Sequence, residues 1–438
     1  MKKKNLIILT VICILSLSVL SGLLVYAFDL QPKRDLKDKA EKQGNELNTE
    51  LNSDLNTAAE VSPTVTEAAS PTPSGTAPSV TAAPDQAVPT GTASQDTSSN
   101  ITATPTPAAE ESSLTEIEHS DTEPIILGFA GDVNLDESSY PAIKYDAVGK
   151  DINGCFSADL LEEMNSSDIM MLNNEFSYST RGTKTLDKSY TFRADPSRVE
   201  ILKKMGVDIV SLANNHALDY GPDALLDTFD TLDNAGIDYI GAGKNLDRAK
   251  APIYYSVGNK TIAYVAASRV VFSMDWYASE NGLGMVGTYD PALILASIKE
   301  AKANSDFVVI FVHWGVERES HPEDYQRNLA KQYIDAGADA VVGCHPHVMQ
   351  GLEFYKGKPI AYSLGNFWFN KSTQKSGMLK LYLEPDNTVK VQMLPAVAND
   401  TYTYLLTKDA DKADYYDFIK GLSYNVNIDK DGFITKAE

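Results

Sequence analysis

Beyond residue 124, apolar residues follow two alternating rhythms: short, nearly continuous runs, and longer stretches at helical spacing. The runs at residues 209–212, 307–312 and 340–343 are apolar almost throughout, as strands covered on both faces should be. Helical spacing appears at Val199, Leu202 and Met205 and again at Leu225, Phe229 and Leu232, with Pro196 and Pro222 at first-turn positions. At Gly206, Gly236 and Gly337 a helix is expected to end and a strand to follow, because glycine suits the left-handed position just past a helix end. Alternating segments near 378–383 and 389–393 predict an antiparallel section. The pattern as a whole predicts an α/β fold, with its site at the carboxyl ends of strands.

The rest of the chain reads differently. Lys2, Lys3 and Lys4 precede an uncharged apolar stretch over residues 6–28, long enough to cross a bilayer. Residues 1–28 are expected to form an uncleaved signal-anchor with a cytoplasmic tip, the alternative being a cleaved signal peptide. From residue 43 to 121 there is no Lys or Arg, and Thr, Ser, Ala and Pro dominate. Residues 29–123 are therefore expected to be a disordered linker, which in polyproline geometry could reach on the order of 200 Å. The expected organisation is a single-pass membrane protein with an extracellular domain at 124–400 and a helix-and-hairpin extension at 401–438.

Composition narrows the partners. A formal charge of −22 argues against nucleic acid or an anionic membrane surface, both of which need a basic face. An anionic substrate would need local cations to overcome that field. Three cysteines offer no disulfide framework: Cys13 falls in the apolar N-terminal run, leaving Cys155 and Cys344 as a bridge or as two buried thiols.

Candidate chemistry concentrates just after the apolar runs. Asp132 follows Gly131, Glu175 follows Asn173 and Asn174, Asn215 and His216 follow Asn214, His313 opens a His-Trp-Gly motif, and His345 and His347 flank Pro346. Such a set suits a two-cation hydrolytic site. Carboxylates share positive charge, neutral imidazoles supply the remaining ligands, and water becomes a nucleophile near neutral pH. The mixture suits Mn, Fe or Zn, as one or two ions. Adjacent residues on a loop point in different directions, so Asn215 can ligate through its amide oxygen while His216 faces substrate as a proton donor. Arg193 could clamp an anionic substrate or lie salt-bridged on the surface. Asn366, in a tight turn after a strand, could touch substrate or only shape the turn. The tail from Asn427 to Glu438 has the spacing of a calcium-binding loop, with Asn in place of the first Asp, and reads equally well as a β-hairpin. His119 and His321 carry no expected role.

Together these motifs resemble the CapA family, capsule-synthesis proteins linked to bacterial poly-γ-glutamate, within the calcineurin-like metallophosphatase superfamily. The resemblance runs from about residue 125 to 370 and includes Tyr190-Thr191-Phe192-Arg193-Ala194, Ala213-Asn214-Asn215-His216 and His345-Pro346-His347-Val348. It implies a four-layer α-β-β-α sandwich. It implies one cation on Asp132 and His347, a second on Asn215, His313 and His345, Glu175 as the bridge, and His216 as general acid. It also implies an anionic polymer such as poly-γ-glutamate as partner, beside capsule synthetase subunits. The role is then either a metal-dependent hydrolase of a phosphoester or anionic polymer, or a non-catalytic polymer-binding or export subunit. Two positions depart from the superfamily pattern: Asn134 stands where a histidine is usual, and Glu175 where an aspartate is. Cys344 also replaces a histidine expected in many relatives.

Overall fold

The computed structural model describes residues 114–437, so the expected anchor and nearly all of the expected linker lie outside the described residues. Among the described residues no helix is long and apolar enough to cross a membrane. The fold is mixed α/β, with a seven-stranded and a ten-stranded sheet. In the larger sheet Ile125–Val133, Ile169–Asn174, Ile209–Ser211 and Asp238–Ile240 run parallel. In the smaller, Lys260–Ser268, Phe307–His313, Ala340–Cys344 and Lys358–Ala361 do the same.

Strand periodicity explains how the sheets stack. Along Phe307–His313, the residues Phe307, Val309 and Phe311 point into a core shared with Phe129, Met171 and Ile209 of the other sheet. Val308, Ile310 and Val312 face the opposite way and pack with Ile298, Leu329 and Tyr333 of the helices Ala292–Ala303 and Asp324–Ala336. On the far side of the larger sheet, Met170, Leu172 and Val210 pack against Leu160, Leu225, Phe229 and Leu232. Each fully buried Leu, Ile or Phe side chain contributes about 1.5–3 kcal/mol. The helix Pro222–Ala235 ends at Gly236, whose φ of 72° is the left-handed conformation expected there.

Both ends of the domain extend further than the sequence suggests. Leu114–Ile117, inside the expected linker, forms an edge strand parallel to Ile253–Val257. His119, expected to be idle, lies with its Nε2 3.5 Å from an oxygen of Asp168. At the other end, Tyr415, Tyr416 and Ile419 of the helix Asp409–Leu422 enter the shared core. Val426–Ile428 and Phe433–Lys436 form a hairpin that joins the edge of Val389–Asn399. The Asp429 carboxylate caps its turn, accepting hydrogen bonds from the backbone N–H groups of Asp431 and Phe433, both at 2.9 Å. The hairpin reading of the tail therefore describes it, and residues 401–437 complete the larger sheet and core.

The strand ends away from the site carry a group that limits stability. Asp208 accepts the Met170 N–H at 2.8 Å, and burial pushes its carboxyl up to about 6, with repulsion from Asp238 and Asp168 adding to the effect. The unfolded chain releases this proton near 3.8, so the folded state holds more protons between the two values and loses stability as pH rises through that window. Asp208→Asn keeps an acceptor for Met170. It is expected to stabilise the protein at pH 7 by about 1–2 kcal/mol, with the gain shrinking as pH falls to 4. Urea denaturation at both pH values checks this, and an equal gain at both would refute it.

Candidate metal centre

Backbone register brings the chemistry to one place. In the larger sheet Asp132 pairs with Asn173 and with Asn366, and Asn173 pairs with Ser211. In the smaller sheet Ser268 pairs with His313, and His313 with Cys344. The carboxyl ends of both sets of strands meet. Gly131 permits a close approach there: a Cβ on it would fall 1.9 Å from the Gly365 carbonyl oxygen, which accepts the Asp132 N–H at 2.9 Å. His345 and His347 hold φ values of 100° and 59°, a conformation costly for residues with a Cβ and typical of strained functional loops.

Oxygen Oε1 of Glu175 lies at the centre, fully buried with no hydrogen-bond partner. The Nε2 atoms of His216, His313 and His347 stand 3.8, 3.9 and 3.9 Å from it. On one side, His347 Nδ1 is 3.4 Å from Asp132 Oδ2 and 2.9 Å from Asn366 Oδ1. On the other, His313 Nε2 is 2.9 Å from Asn215 Oδ1. The ring of His345 lies between these histidines, its centroid 4.6 Å from His313 and 5.8 Å from His347, and its buried Nδ1 has no hydrogen-bond partner. Two groups of three each place one ligand atom per residue within 4.8 Å of one another: Asp132, His313 and Cys344, and Glu175, His345 and His347.

The electrostatics are those of a site that wants a cation. Burial raises the Glu175 carboxyl well above the usual carboxylate range, and the charge of Asp132 adds to it. Burial also opposes ionisation of Asp132, yet His347, Asn173 and His345 outweigh it and hold that carboxyl below its ordinary value. Burial keeps His313 well below its ordinary value and brings His345 to about 3, so both imidazoles are neutral and able to ligate. Burial disfavours charge on His347 too, but Glu175 and Asp132 push it up to about 10. Without a metal, a proton on His347 is thus the counter-ion of the buried Asp132 carboxylate, and a divalent cation bound there would displace it. The orphaned Glu175 oxygen, the orphaned His345 nitrogen and the neutral imidazoles fit such a cation.

Of the residues singled out in the sequence, Asp132, Glu175, Asn215, His216, His313, His345, His347 and Asn366 come together. Arg193 does not join them. Its guanidinium lies over the Tyr220 ring at 4.1 Å and donates to the Arg181 carbonyl, beside a separate cavity of about 560 Å³ that Asp136, Ser138 and Ser179 also line. Asn134 spends its amide oxygen on a turn, accepting the Asp136 N–H at 2.8 Å. Cys155 and Cys344 are both buried and unbridged. Residues that sequence reading passed over supply the scaffold. Asn173 donates to both Asp132 and Glu175, at 2.8 and 3.1 Å. Asn214 donates to Asn173 and accepts the His216 N–H. Asp219 Oδ2 lies 2.6 Å from His216 Nδ1. The doubled asparagines were the available signal: in each pair one amide braces the loop while its neighbour has another task.

Two sheets that share a core and gather carboxylate, amide and imidazole groups at their carboxyl ends make the arrangement of the calcineurin-like metallophosphoesterases. The family described as Bacterial capsule synthesis protein PGA_cap matches residues 126–371, more than half of the chain, and the chain belongs to that family. It is 36% identical over 231 residues to the PGA biosynthesis protein CapA of Bacillus subtilis, covering 52% of this chain and 60% of that protein. It is 33% identical over 256 residues to the capsule biosynthesis protein CapA of Bacillus anthracis, covering 56% and 62%. A probable polyglutamine synthesis accessory protein of Mycobacterium tuberculosis is 29% identical over 253 residues, covering 53% and 67%. The matched region thus spans less than two thirds of the two Bacillus proteins.

Proposed function

We propose that the protein is a cell-surface component of capsule or poly-γ-glutamate biosynthesis, anchored by residues 1–28, whose four-layer domain is a metal-dependent hydrolase of a phosphoester or anionic polymer. The observation that carries this reading is the unpartnered, fully buried Glu175 oxygen ringed by three histidine nitrogens. One of those histidines, His216, is backed by Asp219 in the manner of a proton donor. Asp132, Glu175, Asn215, His313, His345 and His347 would hold one or two divalent cations, which would supply Lewis acidity and lower the pKa of water. The chain's own groups do the rest. Asn173 orients both carboxylates, Asn366 orients His347, and His216 delivers a proton to the leaving group. An anionic polymer, held near synthetase subunits at the outer face of the membrane, is the proposed partner.

One observation favours a second reading, a non-catalytic polymer-binding or export subunit: Asn134, at the place of a superfamily histidine, is committed to a turn. Elemental mass spectrometry on the purified protein, beside a His345→Ala, His347→Ala control, separates the two. Stoichiometric metal that disappears in the control is expected. Protein that stays metal-free after loading with Mn or Zn would refute the hydrolase and leave the accessory role.

A further inference from the structure

Among the described residues, the ammonium of Lys188 reaches the His216 loop, and nothing in the metal chemistry accounts for it. It lies on the connection between Ser177–Tyr178 and Arg193–Ala194, with its side chain only 9% exposed. Its ammonium contacts the fully buried carboxylate of Asp219 through Oδ1 and donates to the backbone carbonyl of Asn215 at 2.5 Å. It also stands 3.2 Å from His216 Nδ1. The ring of Trp276 covers it, 5.1 Å from the ammonium to the centroid. The other oxygen of Asp219, Oδ2, accepts the Phe192 N–H at 2.7 Å and lies 2.6 Å from His216 Nδ1. Phe192 in turn packs on the imidazole, centroid to centroid at 4.3 Å.

We propose that Lys188 is the positioning residue of the proton-donating arm, fixing Asp219 and through it the His216 ring. The inference rests on the reading that His216 protonates a leaving group. The geometry gives each part a task. With Oδ1 taken by Lys188, Asp219 keeps Oδ2 for the Nδ1–H of His216, so that Nε2 faces Glu175 and the reacting groups. A buried carboxylate that lost this ammonium would turn toward another donor, and the imidazole would lose its orientation. Lys188 touches no reacting atom in this scheme and acts only through Asp219 and His216.

The test uses Lys188→Met, Lys188→Arg and two model phosphodiesters that differ in leaving group, diphenyl phosphate and bis(p-nitrophenyl) phosphate, with metal-loaded protein. A proton donor matters for phenolate and much less for nitrophenolate. Lys188→Met is therefore expected to lower kcat about 10²-fold on the phenyl ester and only a few-fold on the nitrophenyl ester. KM and metal content should stay unchanged, and Lys188→Arg should restore most of the rate. Equal losses on both esters, or none, would overturn the proposal. If the unaltered protein cleaves neither ester, the phosphoester reading fails, and proton NMR judges Lys188 separately. A far-downfield imidazole proton, assigned by its loss in His216→Gln, is expected in the unaltered protein and in Lys188→Arg but not in Lys188→Met. Its persistence in Lys188→Met, or its absence from the unaltered protein, would overturn the proposal by itself.

Discussion

Replacing His216 with alanine is expected to lower turnover by about 10²–10⁴-fold while metal content and fold are retained, the usual range for removing a positioned proton donor. The ring is buried, and burial keeps it below its ordinary pKa against the pull of Asp219, so it donates only from the fraction of the protein that holds the second ring proton. Its Nε2 is one of three imidazole nitrogens around Glu175, but His313 and His347 occupy the same neighbourhood without it. Steady-state kinetics beside elemental analysis checks the prediction. Unchanged turnover in a variant with full metal would remove the general acid from the scheme. Simultaneous loss of metal would recast His216 as a ligand.

Gly131→Ala is expected to be the most damaging single methyl addition in the domain, costing about 3 kcal/mol or more and emptying the metal centre. The new Cβ would meet the Gly365 carbonyl oxygen at 1.9 Å and the Leu364 carbonyl carbon at 3.0 Å. These are backbone atoms that no rotamer change can move. Relief would require breaking the hydrogen bond from Asp132 to Gly365 and displacing Asp132 from His347 and Asn173. Gly149→Ala makes a useful comparison. Its φ of 72° also disfavours a side chain, but a Cβ there meets nothing within 4 Å, so a loss of only about 1 kcal/mol is expected. Calorimetric melting of the two variants decides the matter, and similar melting points would sink the steric account.

The sequence makes the ligands legible because each sits just past an apolar run, where a parallel strand delivers its last residue to the common end. Asp132, His313 and His345 could be read that way. Lys188 could not, since it lies 28 residues from His216 in a polar stretch without periodicity and reaches it only through the fold. Arg193 stayed open for a related reason. The sequence allowed a substrate clamp or a surface salt bridge, and the fold sets its guanidinium over Tyr220, beside a cavity apart from the metal-ligand candidates. Leu114–Ile117 was hidden because its four residues, Leu-Thr-Glu-Ile, lack the polar–apolar alternation of a strand and sit in a Thr- and Ser-rich context, and its pairing comes from a strand far along the chain. The calcium-like tail was ambiguous since an Asp-x-Asp-Gly turn serves a hairpin and a cation loop alike. Pairing with Val389–Asn399 settles its conformation.

The placement of Leu114–Ile117 has a mechanical side. A pull on the chain upstream of Leu114 enters the folded domain through four residues at a sheet edge, of which Leu114 is half exposed. Ile253–Val257 and Lys260–Ser268 stand between that strand and the strand that ends in His313. Under load the edge strand would peel first and act as a slack-releasing fuse, freeing a few residues while the groups behind it stay assembled.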